Sequence, residues 1–282
     1  MFPRAWPFRG QVWCQYVRVL VDELIEEALS APIRGWDFTW LEGRATEARP
    51  PWDYAGLVRE GATEARRVLD VDTGGGEVLS RIAPVPAFVV ATESFQPNVA
   101  VARDRLAPLG IQVVQAGPAP DNVDQLGTTP AVTRSALPFR DGAFDLVIDR
   151  HSSYWPSEVR RVLAGGGRFI SQQRSEAGGV GATWGELFGR DEDEDRAFDL
   201  RFARNQLQEA GFRVSRGEEV DTPMTFLDLA AAVYYLRIVP WAVDGFDPVG
   251  DRGALEEIHE RLQRDDQLVV RGSHMLLDAT RT

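Results

Sequence analysis

The central part of the chain alternates short, continuously apolar runs with segments that carry apolar residues at helical spacing. Runs that are apolar along their whole length are typical of strands covered on both faces, as in parallel sheets. Together with the helices between them, these runs predict a doubly wound, Rossmann-like α/β fold. The predicted parallel strands cover residues 68–71, 87–91, 111–115, 144–149 and 168–171.

Amphipathic and aromatic segments precede the first of these strands. Apolar residues recur at helical spacing over residues 14–29, which predicts a helix with carboxylates on its opposite face. Residues 33–54 gather aromatic side chains among Gly and Pro, and a further helix is predicted over residues 54–66. We therefore expect residues 1–65 to form an N-terminal helical and aromatic lid segment.

The C-terminal part of the chain shows a different arrangement. Two strand-like stretches, residues 213–220 and 267–279, enclose a helical, aromatic-rich insertion at about residues 222–265. A sheet whose last two strands are separated in this way is expected to end in an antiparallel hairpin. We therefore predict a domain over residues 66–282, with a seven-stranded sheet that is mostly parallel and has an antiparallel C-terminal strand.

Composition narrows the class of protein and of partner. The 282-residue chain has a formal net charge of −12, which argues against a nucleic-acid partner because such partners are bound by neutralising phosphates. All 31 basic residues are Arg, so a Lys nucleophile or Schiff base is excluded. Cys14 is the only cysteine and there are three His, so neither an intrachain disulfide nor a metal site is predicted. With no apolar run of about 18 residues and no signal-peptide pattern, we expect no membrane partner and a cytoplasmic location.

The chemistry concentrates at a Gly-rich turn after the first predicted strand. In VLDVDTGGGE the apolar run stops at Asp72, and the glycines that follow allow a ligand to approach the backbone closely. Glu93 ends the next strand, where an acid can accept both hydroxyls of a ribose. Both features lie at the carboxyl ends of parallel strands, where open α/β sheets bind ligands. The pair predicts a nucleoside site.

The charges of the turn favour a cationic cofactor. A dinucleotide site would use G-x-G-x-x-G to place pyrophosphate on a helix N-terminus, and this pattern is absent here. Asp70 and Asp72 would also repel a pyrophosphate. S-adenosylmethionine (SAM) carries a sulfonium and an ammonium, so carboxylates near the turn would attract it. SAM is therefore the predicted cofactor.

At this point the sequence resembles the class I SAM-dependent methyltransferases, in particular the group called methyltransferase type 11. The resemblance covers roughly residues 66–175. It depends on VLDVDTGGGE, on the acid in VVATES, and on LPFRDGAFDLVIDRHSSY followed by EVRRVLAGGGRFI. A seven-stranded Rossmann-like fold and methyl transfer are what this resemblance implies.

The resemblance also implies a cofactor site. Residues of the turn would hold the methionine end, Glu93 the ribose, and the loop before the fourth strand the adenine. The last two implied residues would line the pocket after that strand. By position, the implied cofactor-binding residues are Asp70, Asp72, Thr73, Gly74, Gly76, Glu93, Ser94, Ala136, Leu137, Asp149 and Arg150.

Two positions depart from the family pattern. Asp72 stands where the first glycine of the turn is usual, and it would either crowd the methionine moiety or offer its ammonium a further acceptor. The acid usually found a few residues before Leu-Pro-Phe is absent, with Thr133 and Arg134 nearby instead. Adenine recognition is then expected to rely on backbone groups.

His151 follows the fourth predicted strand and is the candidate catalytic residue. Methyl transfer requires mainly proximity and, for some acceptors, a base that removes a proton. His151 stands where such a base can reach an acceptor, and a purely structural role is the alternative. Tyr154 and Trp155 lie close behind it, and for them core packing and acceptor binding are both open. Gln172 and Gln173, after the fifth strand, have a weaker claim to acceptor contacts.

The predicted function is methylation of a small molecule. The aromatic flanks, including Trp36, Tyr234, Tyr235 and Trp241, favour an apolar or aromatic acceptor over a polyanion, although ordinary core packing also explains them. Methylation of RNA or protein, a non-catalytic SAM- or nucleoside-binding protein on the same fold, and a nicotinamide oxidoreductase are the alternatives. The acceptor itself has no readable code in the sequence.

Overall fold

A computed structural model of the chain describes residues 9–33, 36–85, 87–120, 122, 137–175, 180–190 and 198–282, with backbone alone for residues 9–19. The chain divides into two compact units. The sheet unit comprises residues 49–179, 193–222 and 272–282. The helical unit comprises residues 1–48, 180–192 and 223–271.

The described residues form nine α-helices and ten strands. The helices are α1 Arg9–Ser30, α2 Tyr54–Glu64, α3 Glu77–Ile82, α4 Gln96–Leu106, α5 Pro156–Val162, α6 Trp184–Phe188, α7 Leu200–Glu209, α8 Leu229–Ile238 and α9 Arg252–Asp265. The strands are β1 Ala45–Glu47, β2 Arg67–Val71, β3 Phe88–Glu93, β4 Gln112–Gln115, β5 Phe144–Arg150, β6 Leu163–Ser175, β7 Phe212–Asp221, β8 Met224–Phe226, β9 Leu268–Val270 and β10 Ser273–Arg281.

The sheet unit contains a seven-stranded sheet in the order β4-β3-β2-β5-β6-β10-β7. The neighbours from β4 to β6 are parallel, and β10 pairs antiparallel with both β6 and β7. This arrangement confirms the predicted Rossmann-like sheet with an antiparallel C-terminal strand. It also places the ends of β2, β3 and β5 side by side, since parallel neighbours end at the same edge.

Both faces of this sheet are buried, which explains the continuously apolar strands. Side chains alternate between the faces along each strand. On β5, Leu146 and Ile148 share one core cluster with residues of α2, α3 and α4. Val147 belongs to the other cluster, with residues of α5 and α7. Each strand therefore supplies apolar side chains to two cores, and few polar positions interrupt it.

Two predicted strands differ from the observed ones. The stretch 267–279 was expected to be one strand, and this was wrong: β9 and β10 are separate strands in different sheets. Gly272 lies between them, and a Cβ there would come within 2.9 Å of the Thr222 carbonyl oxygen. The fifth predicted strand is also longer than expected. The observed strand is β6, and its antiparallel pairing with β10 continues from Arg168 to Ser175.

The helical unit has its own small sheet and core. Strands β1, β8 and β9 form an antiparallel sheet in the order β1-β8-β9. Helix α8 is buried along almost its whole length and supplies Tyr234 and Leu236 to the core. Trp184 stacks on Tyr235 in the same core, with ring centroids 5.8 Å apart and planes 17° apart.

The unit boundaries differ from the division expected from the sequence. Residues 49–65, which we placed in the N-terminal lid segment, belong to the sheet unit. Their helix α2 contributes Tyr54, Val58 and Ala62 to the core on one face of the sheet. The insertion, in contrast, forms the helical unit together with residues 1–48 and 180–192.

None of the helices in the described part of the chain is long and apolar enough to cross a membrane.

Candidate functional site

The Gly-rich turn connects β2 to α3 through residues in left-handed backbone conformations. Gly74 and Gly76 have φ values of 64° and 79°. A Cβ on Gly76 would also come within 2.9 Å of the Leu106 side chain on α4. The backbone N–H of Thr73 donates to the Thr92 carbonyl at 2.9 Å, which holds the turn against the end of β3. Glycine is therefore required here both for conformation and for space.

Asp72 also adopts a left-handed conformation, with φ of 50°. Its carboxylate accepts hydrogen bonds from the backbone N–H of Ser94 at 2.7 Å and from the Ser94 hydroxyl at 3.1 Å. Asp is among the residues that tolerate this conformation best, because its short polar side chain can hydrogen-bond locally. The acid at the usual glycine position thus joins the turn to the residue after β3. Contact with a cofactor ammonium stays a prediction.

Glu93, the predicted ribose acid, ends β3 and is buried. One carboxylate oxygen accepts from the Gly74 N–H at 2.6 Å, and the other accepts from the Phe95 N–H at 2.8 Å. The structure therefore brings Glu93 and the Gly-rich turn together. Contact of Glu93 with a ribose stays a prediction.

The acids around the turn are held in a desolvated environment. Burial, together with the charges of Asp72 and Glu93, raises the pKa of Asp70 to about 7 against the opposing charge of Arg150. Burial likewise raises the pKa of Glu93 to about 7 and that of Asp149 well above its usual range. Such an environment is short of positive charge. A bound cation would stabilise the ionised forms of these carboxylates.

Asp149 and the end of β5 form a second group of polar contacts. The fully buried Asp149 carboxylate accepts from the Ser152 hydroxyl at 2.6 Å and from the side-chain amide of Gln173. The Tyr54 hydroxyl donates to the Asp149 carbonyl oxygen at 3.2 Å. The same Ser152 hydroxyl lies 3.5 Å from the Val71 carbonyl at the end of β2. Asp149 therefore holds the strand ends together beside the turn.

Arg150 and His151 follow directly. Arg150 is half-buried, and its charge acts on the pKa values of Asp70, Tyr54 and His151. His151 has φ of 61°, an uncommon value for a residue other than Gly and one that recurs at functional sites. The residue is exposed to solvent. The surrounding protein atoms, Arg150 and His274 lower the pKa of His151 well below its usual range.

The His151 ring contacts residues of two distant strands, and a third segment joins this group through Gln172. Gln172, on β6, places its side-chain Nε2 3.2 Å from His151 Nε2. The oxygen of the same amide accepts from the indole N–H of Trp52 at 2.8 Å. The ring of His274, on β10, lies 5.0 Å from the ring of His151, and its Nδ1 lies 2.5 Å from the Thr222 hydroxyl. The base predicted from sequence therefore sits in a polar network of its own.

A cleft opens beside the turn at the ends of β2 and β3. Its cavity volume of about 20 Å³ is far below the range of sites for small molecules. Leu137 lines it, whereas Ala136 lies outside the described residues, and contact of either residue with adenine stays a prediction. The cleft is lined by Val71, Asp72, Thr92, Gly117, Ala119, Leu137, Tyr154, Trp155, Glu158 and Val159.

The residues after His151 have distinct environments. Tyr154 is fully buried and packs edge-on against Phe169, with ring centroids 5.0 Å apart, which supports the core-packing interpretation. Trp155 is half-buried at the cleft. Glu158, which the sequence did not single out, accepts from the Leu137 N–H at 3.0 Å and from Arg161. It fixes the backbone of the loop that the resemblance assigns to adenine.

Some residues of the site were missed by reasoning from the sequence. Trp52 was noted only as part of an aromatic segment, and His274 was noted without a role. His274 packs beside His151 because β5, β6 and β10 are neighbours, and Trp52 joins them through Gln172 because residues 49–53 belong to the sheet unit. No local motif predicts such contacts, since they depend on strand order and register.

Comparisons with known proteins agree with this architecture. Uncharacterized methyltransferases from Mycobacterium bovis and Mycobacterium tuberculosis are 30% identical over 189 residues, which cover 62% of this chain and 68% of each relative. A solved structure of a candidate methyltransferase from Bacillus halodurans aligns with a TM-score of 0.52 at 21% identity, covering 82% of this chain and 99% of that one. No protein-family model matches the chain.

The sheet order, the Gly-rich turn and the acid after β3 define a Rossmann-like methyltransferase domain. The mycobacterial relatives are 30% identical over 68% of their own length, which is enough to assign the chain to their family. The chain belongs to the class I methyltransferase family, as its motifs implied.

Proposed function

We propose that the protein uses SAM to methylate a small, apolar or aromatic acceptor. The observation that carries the cofactor assignment is the group of desolvated carboxylates around the Gly-rich turn. SAM supplies a methyl group activated by a sulfonium, and the protein has to orient it and exclude water. The residues present fit that cofactor, because Asp70, Asp72 and Glu93 attract cations and would repel a dinucleotide pyrophosphate.

Glu93 supports the nucleoside part of the proposal. Its oxygens are held in place beside the turn by two backbone N–H groups. A carboxylate fixed in this way is suited to accept the two hydroxyls of a ribose without reorganising. Leu137 and Trp155, which line the adjoining cleft, provide apolar surface for an adenine ring.

The acceptor is the less constrained part of the proposal. The strand end that carries His151 also carries Arg150 and lies beside Trp52 through Gln172. These groups suit an acceptor that combines an aromatic or apolar body with one polar atom. A formal net charge of −12 continues to argue against a nucleic-acid acceptor.

Calorimetric titration tests the cofactor assignment. We expect binding of SAM and of S-adenosylhomocysteine and no binding of NAD. Glu93→Gln should weaken both SAM compounds, whereas Glu209→Gln, an exposed acid on α7, serves as the matched control and should leave them unchanged. If neither SAM compound binds the wild-type protein, the proposal is wrong.

Methylation of a panel of phenols, carboxylic acids and amines then tests turnover. A protein that binds SAM tightly and methylates none of them would support the non-catalytic alternative. His151→Ala should lower turnover of a methylated acceptor without changing SAM affinity. Full turnover in that variant would remove His151 from the acceptor site.

A further inference from the structure

The side-chain amide of Gln172 bridges two aromatic rings beside the proposed acceptor site. Gln172 is buried on β6, and Trp52, which precedes α2, is nearly buried. The indole Nε1 of Trp52 lies 2.8 Å from the amide Oε1, and the amide Nε2 lies 3.2 Å from His151 Nε2. The three side chains therefore form one hydrogen-bonded chain.

The chemistry of the indole determines the direction of every bond in this chain. An indole N–H can only donate, so the atom of Gln172 that faces Trp52 must be the amide oxygen. The NH₂ group of the same amide then faces His151 and donates to it. His151 Nε2 must accept that hydrogen bond, and a ring nitrogen that accepts carries no proton. In the neutral ring the proton is consequently on Nδ1.

The backbone keeps His151 in register with Gln172. Strands β5 and β6 pair Arg150 with Gln172, and the His151 N–H donates to the Gln172 carbonyl at 2.9 Å. The left-handed conformation of His151, with φ of 61°, turns its side chain away from the regular strand direction. A strained conformation of this kind persists where the surrounding structure holds it in place. The ring and the amide are thus joined at both main chain and side chain.

The neighbours of the His151 ring oppose a positive charge on it. The charged and titratable groups that face it are Arg150 and His274, and Arg174 lies beyond His274. The surrounding protein atoms and these groups lower the pKa of His151 well below its usual range. Protonating Nε2 would also place an N–H against the NH₂ group of Gln172. Both effects favour the neutral ring.

We propose that Gln172, oriented by Trp52, is a positioning residue that holds His151 in its neutral form with the proton on Nδ1. His151 then presents an Nδ1–H donor on the side of the ring away from Gln172, rather than a base. This inference rests on the proposed function only in that the ligand on that side is the methyl acceptor. The atom it contacts would be one with a free lone pair, such as a carbonyl, carboxylate or phenolate oxygen.

Nitrogen-15 NMR of the imidazole rings tests the proposal without any cofactor or substrate. Long-range nitrogen–proton correlations distinguish the two tautomers and the cation, and the signals lost in His151→Asn assign the ring. We expect the wild-type protein at neutral pH to show His151 protonated on Nδ1 alone. A wild-type ring protonated on Nε2, or doubly protonated, would overturn the proposal.

Removing the amide or its orienting partner should release the tautomer. Gln172→Leu and Trp52→Phe should each shift the ring toward a mixture that includes the Nε2–H form. Trp241→Phe, at an exposed position of the helical unit, is the matched control and should leave the tautomer unchanged. An unchanged tautomer in both test variants would show that Gln172 does not position the ring.

Gln172→Glu should raise the pKa of His151, whereas the wild-type amide disfavours the protonated ring. A carboxylate can accept from both Trp52 and a protonated His151 Nε2, so the pKa of His151 should rise by about 1 to 3. Gln208→Glu, on the exposed side of α7, provides the matched control. An unchanged pKa in Gln172→Glu would contradict the proposed contact. Because these measurements need no SAM, they can fail while the proposed function holds, and the reverse is also true.

Discussion

Asp70 gives the sheet unit a dependence of stability on pH that one substitution should remove. The residue lies at the end of β2, is nearly buried, and has its pKa raised from 3.8 to about 7, chiefly by loss of solvent. Ionising it in the folded protein is therefore harder than ionising it in the unfolded chain. Asp70→Asn keeps the shape of the side chain and removes the charge.

The sign and size of the effect follow from this difference. A carboxyl whose pKa is raised by folding favours the folded state when protonated, so stability falls as pH rises from the unfolded pKa through the folded one. A rise from 3.8 to about 7, at about 1.4 kcal/mol for each pKa unit, corresponds to about 4 kcal/mol in total. About 2.5 kcal/mol of this loss falls between about pH 5 and about pH 8.

Urea denaturation of the wild-type protein and Asp70→Asn at a series of pH values measures this term. The free energy of unfolding of the variant, relative to wild type, should increase by about 2 to 3 kcal/mol from about pH 5 to about pH 8. Asp104→Asn, an exposed acid on α4, is the matched control and should follow the wild-type curve. Parallel curves for Asp70→Asn and wild type would refute the reasoning.

Three further predictions concern the turn, the cofactor and the sheet. Glu93→Gln should lower SAM affinity by about tenfold to a hundredfold, because a hydrogen bond to an ionised group contributes about 1.5 to 3 kcal/mol; calorimetry measures this. Asp72→Gly should relieve about 1 kcal/mol of backbone strain but lose both bonds to Ser94, leaving the protein about 1 to 2 kcal/mol less stable to urea. Asp278→Ala should lower the free energy of unfolding by about 2 kcal/mol in the same assay. It removes the bidentate ion pair in which Arg168 on β6 donates to Asp278 on β10 at 2.9 and 2.6 Å.

The sheet was predictable where strands are buried on both faces. β2 and β5 appear in the sequence as unbroken apolar runs that end at Asp70–Val71 and at Asp149–Arg150, and their observed bounds agree within one residue. Their burial makes the signal strong, because apolar side chains are favoured on both faces. The adjacent Gly-rich turn and Glu93 could be paired for the same reason, since parallel neighbours end at one edge.

The small sheet of the helical unit could not be predicted in this way. β1, β8 and β9 have three residues each, which is too short for an alternating pattern to be recognised. β1 pairs with β8 across more than 170 residues of chain, as in the register of Ala45 with Phe226, and β8 pairs with β9 across more than 40. The start of β6 was also missed. It contains Gly165, Gly166 and Gly167, which the sequence favours as a turn, whereas β6 runs through them at an irregularity in its pairing with β5.

Asp72 departs from the family motif, and the sequence predicted its position in the turn but not its contacts. From sequence, the acid at a glycine position either obstructs the methionine moiety or assists its ammonium, because only neighbours along the chain are visible. The structure adds Ser94, whose N–H and hydroxyl take up the carboxylate from the next strand. Because Asp tolerates the left-handed conformation, the turn keeps its backbone geometry without glycine. A carboxylate already bonded on one side loses part of its capacity for a cofactor ammonium, so Asp70, which shares the desolvated environment, is the acid whose charge the cofactor should compensate most.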